Sequence, residues 1–104
     1  MNQVSLSAVV LEVKPLRYTP AGQAALELIV QHESQVTEAG HPRRISLAMP
    51  VLALGDTALL LADVAPGSQL RLKGFLAPAR KSSGKLVLHV QHVERGAANN
   101  PVVV

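Results

Sequence analysis

Apolar and polar positions alternate along most of the chain with a period near two, which predicts strands rather than helices. Val4, Leu6 and Ala8 alternate with Ser5 and Ser7, and the run continues through Val9-Val10-Leu11 to Val13. Its phase blurs between Ala8 and Leu11, the mark of a β-bulge, which a small barrel needs to bend a strand. A second strand is expected over Ala24 to His32, with Leu26, Leu28 and Val30 inward and Glu27 and Gln31 outward. A third runs from Arg43 to Leu54, with Ile45, Leu47, Met49 and Val51 on one face and Arg44, Ser46 and Ala48 on the other. Pro50 cannot donate to a ladder, so that strand should have an open edge or a bulge there.

Between these strands lie segments read as connections. Pro15 to Gly22 (PLRYTPAG) is a turn region, and the polar stretch Glu33 to Pro42 is a loop. Asp56 is expected to N-cap one or two helical turns over Thr57 to Val64. Pro66-Gly67 then turns into a hairpin, Leu70 to Glu94. Leu70, Leu72 and Leu76 share one face of its first strand, Arg71, Lys73 and Phe75 the other, and Leu86, Leu88 and Val90 repeat the pattern in its second. After Glu94 the sequence RGAANNPVVV has no periodicity and should fray. The expected organisation is one domain, residues 1–95, with a flexible C-terminal tail, 96–104. Five strands with a helical turn between the third and fourth is the order of an OB-fold, so the fold class expected is all-β, a five-stranded OB-fold barrel.

Charge sharpens this picture. The net charge is only +3, but no Asp or Glu occurs between Asp63 and Glu94, while five of the ten basic residues fall there. Arg80, Lys81 and Lys85 sit in or beside the hairpin loop, punctuated by Ser82-Ser83-Gly84. A hairpin with an apolar back and a basic tip suits a polyanion. Arg71 and Lys73 on the hairpin, Arg44 on the third strand, and Arg17 and Tyr18 in the first turn extend the basic surface. A single strand in an OB groove usually meets a positive track and aromatic platforms. One Tyr, one Phe and no Trp leave few rings, of which Phe75 is either an outward stacking ring or buried under the loop. Several outward positions, Ala25, Ile29, Ala48 and Val87, are apolar, and homodimerisation would cover them.

Other chemistries find little support. The absence of cysteine removes disulfides, thiolate metal sites and cysteine nucleophiles. His89 and His92 are three apart, which on a regular strand sends them to opposite faces, and no carboxylate pair completes a ligand set. The seven carboxylates are dispersed, and neither a nucleophile elbow nor a phosphate-binding glycine loop occurs. The expected class is not an enzyme, with no cofactor. No signal-peptide pattern and no apolar run near ~18 residues is present, so a soluble cytoplasmic protein with no membrane role is expected.

The residues also resemble a known family. PLRYTPAG, the triplets HES at 32–34 and EAG at 38–40, Met49-Pro50-Val51, Gly67-Ser68, Gly74-Phe75-Leu76 and Leu86-Val87-Leu88-His89 follow the order seen in the primosomal replication protein N (PriB) family. More distantly, Pro20 to Val30 and Gly67 to Gly74 are similar to bacterial single-stranded DNA-binding protein. The resemblance implies an OB-fold homodimer that binds single-stranded DNA in replication restart. It implies contacts with the PriA helicase, and with DnaT and single-stranded DNA-binding protein as further partners. Its DNA contacts would fall on Arg80, Lys81 and Lys85, with Arg17 or Tyr18 in the first turn. An aromatic that family members can carry in the third strand is Ser46 here, and a basic position after the second-strand histidine is Glu33. Binding should therefore be weak, sequence-tolerant and strongly salt-sensitive. A rival reading makes the chain a protein–protein adaptor whose basic surface docks acidic partner segments.

Overall fold

A computed structural model describes residues 1–96 of the chain. The strands are β1 (Val4–Val13), β2 (Arg17–Tyr18), β3 (Ala24–Glu38), β4 (His41–Leu54), β5 (Gln69–Pro78) and β6 (Leu86–Arg95), with helix α1 (Asp56–Leu61) between β4 and β5. The sheet order is β1-β5-β6-β4-β3-β2, and a further β1–β3 pairing closes it into a barrel. This is the five-stranded OB-fold barrel with a short helical element expected from the sequence; β2 adds only a two-residue ladder of Arg17 and Tyr18 against Ala25 and Ala24. The expected fraying of the tail falls, from residue 97 onward, outside the described residues.

β1 closes the barrel by serving two neighbours. Val4 to Val9 pair with β5 and Val9 to Val13 with β3, and the register slips between Val10 and Glu12. The slip is the bulge that the blurred phase foretold, and it leaves Leu11 half exposed. His32, at the end of the β1–β3 ladder, spans the gap. Its Nδ1 donates to the Ser7 carbonyl at 2.6 Å, so its Nε2, 2.8 Å from Ser34 Oγ, accepts the hydroxyl proton.

The alternation seen in the sequence builds the interior. Leu26, Leu28 and Val30 of β3, Val51 and Ala53 of β4, Leu70 and Leu72 of β5, and Leu88 and Val90 of β6 form one cluster with Val10, Ala58 and Leu61. Among the described residues, every buried side chain is Ala, Val or Leu, so none of the aromatic rings is fully buried. Pro50 lies at the last position before β4 gains its second neighbour: β6 joins only from Val51 onward, and the expected open edge is there.

Three expectations are corrected. Glu33 to Pro42 is not a loop, because β3 and β4 pair without a break from Ala25↔Leu54 to Glu38↔His41. The arm turns on Ala39 and Gly40, both at positive φ (52° and 81°), as a two-residue hairpin turn of matching twist demands. Its polarity reflects a ribbon solvated on both faces. The N-cap of α1 is Gly55, not Asp56, which is the first helical residue and makes no side-chain cap. Ala25, expected outward and exposed, is completely buried, whereas Ala48 is exposed and Ile29 and Val87 are half-buried.

The far end of α1 is tied to β6. Arg95 Nη2 donates to the Leu60 carbonyl at 2.9 Å and to Asp63 Oδ1 at 2.6 Å. That hydrogen bond and the guanidinium charge hold the Asp63 carboxyl below its ordinary range. A lowered folded-state pKa stabilises the fold above the ordinary carboxylate range, and this contribution is lost as pH falls through the lowered value. The pair is largely exposed, so the effect is small. Asp63→Asn should melt slightly earlier than the parent at pH 7, and the difference should vanish in acid well below the carboxylate range.

Candidate nucleic-acid interface

The candidate site lies on the outer face of the β5–β6 hairpin, whose register sets which side chains meet. From tip to base the outward pairs are Ala77↔Val87, Phe75↔His89, Lys73↔His92 and Arg71↔Glu94. The inward set is Leu72↔Val93, Gly74↔Val90 and Leu76↔Leu88. Strict alternation fails between Lys73↔His92 and Gly74↔Val90, where β6 carries one extra residue, Gln91. This bulge puts His89 and His92 on the same face, correcting the expectation that their odd spacing separates them. Among the described residues no group of three His, Asp or Glu side chains could hold a metal.

Gly74 makes the bulge possible. A β-carbon built on it would overlap the carbonyl oxygen of His89 and lie within 3.0 Å of Val90 Cα. The readable signal was Gly74 itself, because an isolated glycine inside a strand marks a bulge or a close backbone approach.

Phe75 is neither buried under the loop nor a free ring. It is half-buried and stacks on His89, with ring centroids 4.9 Å apart and planes 12° from parallel. Beyond Phe75 the hairpin ends in a folded loop. Ala79 N–H donates to the Lys85 carbonyl at 2.8 Å, Ser83 N–H to the Arg80 carbonyl at 2.9 Å, and Lys85 N–H to Ser83 Oγ at 3.0 Å. Arg80, Lys81 and Lys85 project from it and are exposed.

The ion pairs divide the basic residues in two. Arg17 meets Glu27 at 3.1 Å, Arg44 meets Glu33 at 3.3 Å and Arg71 meets Glu94 at 3.4 Å. Lys14, Arg43 and Arg95 are also paired with carboxylates. Among the described residues, Lys73, Arg80, Lys81 and Lys85 have no such partner. All four are on the β5–β6 hairpin, so the unpaired Lys and Arg charge of the described residues is concentrated there.

The remaining expected site residues are spread over the same outer surface. β4 and β6 run parallel with Val51 opposite Leu88, a register that carries Lys85 to the level of Ala48. The basic loop and the β3–β4 arm, with Arg44 and Ser46, therefore leave the barrel at one end. Ser46 Oγ accepts a hydrogen bond from Gln31 Nε2 at 2.8 Å, a small polar contact where a ring would offer a platform. Arg17 and the exposed Tyr18 lie at the other end, beside Ala25 and Ala24. The structure thus brings Lys73, Phe75 and the three loop cations onto one hairpin and leaves Arg17 and Tyr18 apart from them. His89, which sequence reasoning missed, stands in the middle.

Comparison with known proteins places the family and the fold. Residues 2–92 match a family model described as "Another single-strand binding protein family". The chain is 56% identical over 99 residues to replication restart protein PriB of Bordetella pertussis, covering 95% of this chain and 92% of that protein. A solved structure of PriB from Ralstonia solanacearum superposes with a TM-score of 0.82 at 32% identity, covering 91% of this chain and 97% of that one. The single-stranded DNA-binding protein of Thermus aquaticus, at 24% identity and a TM-score of 0.72 over 91% of this chain and 50% of that one, shares the fold. On sequence and structure together, the chain belongs to the PriB family of replication restart proteins.

Proposed function

We propose that the protein is a non-enzymatic accessory factor of the replication restart primosome that binds single-stranded DNA along the outer face of its β5–β6 hairpin. The observation that carries this reading is the segregation of charge: every Lys or Arg lacking a carboxylate partner among the described residues stands on that hairpin. Unpaired cations need not break an ion pair before meeting phosphate, whereas Arg17, Arg44 and Arg71 must exchange one partner for another. The family model's description and the relatives' name support the same reading.

The mechanism is electrostatic capture. Each phosphate neutralised releases condensed counterions, giving a salt slope of about −0.7 per contact on a single strand. Four unpaired cations then predict a slope near −3 for log affinity against log salt. Fluorescence anisotropy with a labelled oligothymidylate at several salt concentrations tests this, and a flat response overturns it. The PriA helicase, DnaT and single-stranded DNA-binding protein are proposed partners through family membership. The basic loop is the surface on which PriA would compete with or bridge to DNA.

Homodimerisation belongs to the same proposal. Because β1 divides its length between β5 and β3, each half keeps one open edge. A depression of about 750 Å³ beside it is lined by Val9, Leu11, Gln31 and Leu70. A second copy adding at this edge would cover Leu11, which a monomer leaves 49% exposed.

A further inference from the structure

A shallow depression of about 260 Å³ lies against the Phe75–His89 stack, floored by Leu52 and the half-exposed Leu54 and rimmed by Thr57 and Gln91. Resting on the reading that single-stranded DNA follows the β5–β6 hairpin, we infer that this depression holds one nucleobase, with His89 and His92 as contact residues whose charge tightens binding as pH falls. The walls have the composition such a site needs. Two stacked rings and two leucines accept the flat apolar faces of a base. The Thr57 hydroxyl and Gln91 amide can both donate and accept, so they serve any base edge without selecting one.

The neighbouring ladder step supplies the backbone contact. Lys73 has no ion pair among the described residues and faces His92 across the strands, two residues from Phe75 on the same face. Two residues of strand advance roughly 6.8 Å, so a base against Phe75 and His89 puts an adjoining phosphate within reach of Lys73 and His92. The extra residue at Gln91 is what makes this grouping. Without it His92 would point inward and Lys73 would stand alone.

Imidazole is the side chain that gains charge between pH 8 and pH 5. The carboxylates around the two histidines are engaged in ion pairs, with the exception of Asp56 at the start of α1. Next to His89 are Leu52 on β4, Phe75 on β5 and Thr57 on α1. Beyond Leu52 lies Glu27, already engaged by Lys14 and Arg17. Next to His92 are Lys73, then the Arg71–Glu94 ion pair, with Thr57 and Leu60 from α1. The acidic residues of that helical segment are Asp56 and Asp63, and Asp63 is held by Arg95. An incoming phosphate is the partner the geometry leaves to the histidines.

Anisotropy titration with labelled oligothymidylate at 0.1 M salt, at pH 8 and pH 5.5, tests the inference. The unsubstituted protein should bind about tenfold more tightly at the lower pH, as two added contacts allow. His89→Gln/His92→Gln should lose most of that response while melting as the parent does. Phe75→Leu should weaken binding at both pH values by about five- to 150-fold, the range for one stacked base. Imidazole resonances of His89 and His92 in the unsubstituted protein should shift on adding the oligonucleotide, a readout independent of any variant's folding. A pH response that survives the double substitution, or parental affinity in Phe75→Leu, overturns the base site. If the protein shows the expected salt slope but neither effect, the site is wrong and the hairpin reading stands. If it ignores the oligonucleotide at low salt, both fall.

Discussion

Gly74→Ala should cost about 3 kcal/mol or more, a fall in Tm of roughly 12–24 °C for a domain of this length. The cause is a backbone collision, not a glycine-only dihedral. Gly74 is buried at the bulge, and the obstruction is the carbonyl of His89 on the neighbouring strand, which cannot rotate away as a side chain could. To admit a methyl group, β5 and β6 must separate or slide. Separation breaks the ladder beside the core residues Leu72, Val90 and Leu88. Sliding by one residue sends Val90 outward and its polar neighbours inward, because alternation ties register to burial. Thermal melting by circular dichroism checks the magnitude. Any folded fraction at low temperature should also lose the Phe75–His89 stack, visible as a change in the His89 ring resonances. Parental stability would mean that the two strands do not approach as described.

The triple substitution Arg80→Ala, Lys81→Ala, Lys85→Ala has the second large effect, and it is on binding. Three lost phosphate contacts reduce the salt slope by about 2 and lower affinity by about two decades at 0.1 M salt. Stability should change by less than ~0.5 kcal/mol, since the three side chains are exposed and have no ion-pair partner among the described residues. Arg44→Ala and Arg71→Ala should each do less to affinity, because each guanidinium is already engaged by a carboxylate. Binding isotherms over a salt series, with melting curves alongside, separate the two quantities. Measured in parallel against the PriA helicase, the same variant decides between a DNA-binding role and the adaptor reading. Loss of helicase binding with DNA affinity retained would favour the adaptor.

The strands and core were legible because a half-buried strand writes its environment into every second residue. Leu26, Leu28 and Val30, or Leu70 and Leu72, could hardly be arranged otherwise. The β3–β4 arm was not legible for the same reason: both of its faces meet water, so Ser34, Gln35 and Thr37 carry no alternation to read. The ion pairs were hidden because they depend on pairings between residues far apart in sequence. Arg71 meets Glu94 only through the β5–β6 register, and Arg44 meets Glu33 only because the arm is continuous. The loop cations were legible as a cluster, whereas the co-facial histidines were not. Their grouping needs Gln91 to be unpaired, which depends on Gly74, seventeen residues earlier in the chain.

The bond from His32 to the Ser7 carbonyl has a consequence for association. An aliphatic strand with a free edge invites any extended peptide to add to it, in whatever alignment it arrives. A carbonyl already occupied by an imidazole, next to a kink at Leu11, leaves far fewer alignments available. On the dimer edge proposed above, His32 would therefore act as a phasing peg, restricting the stagger at which a second copy could add.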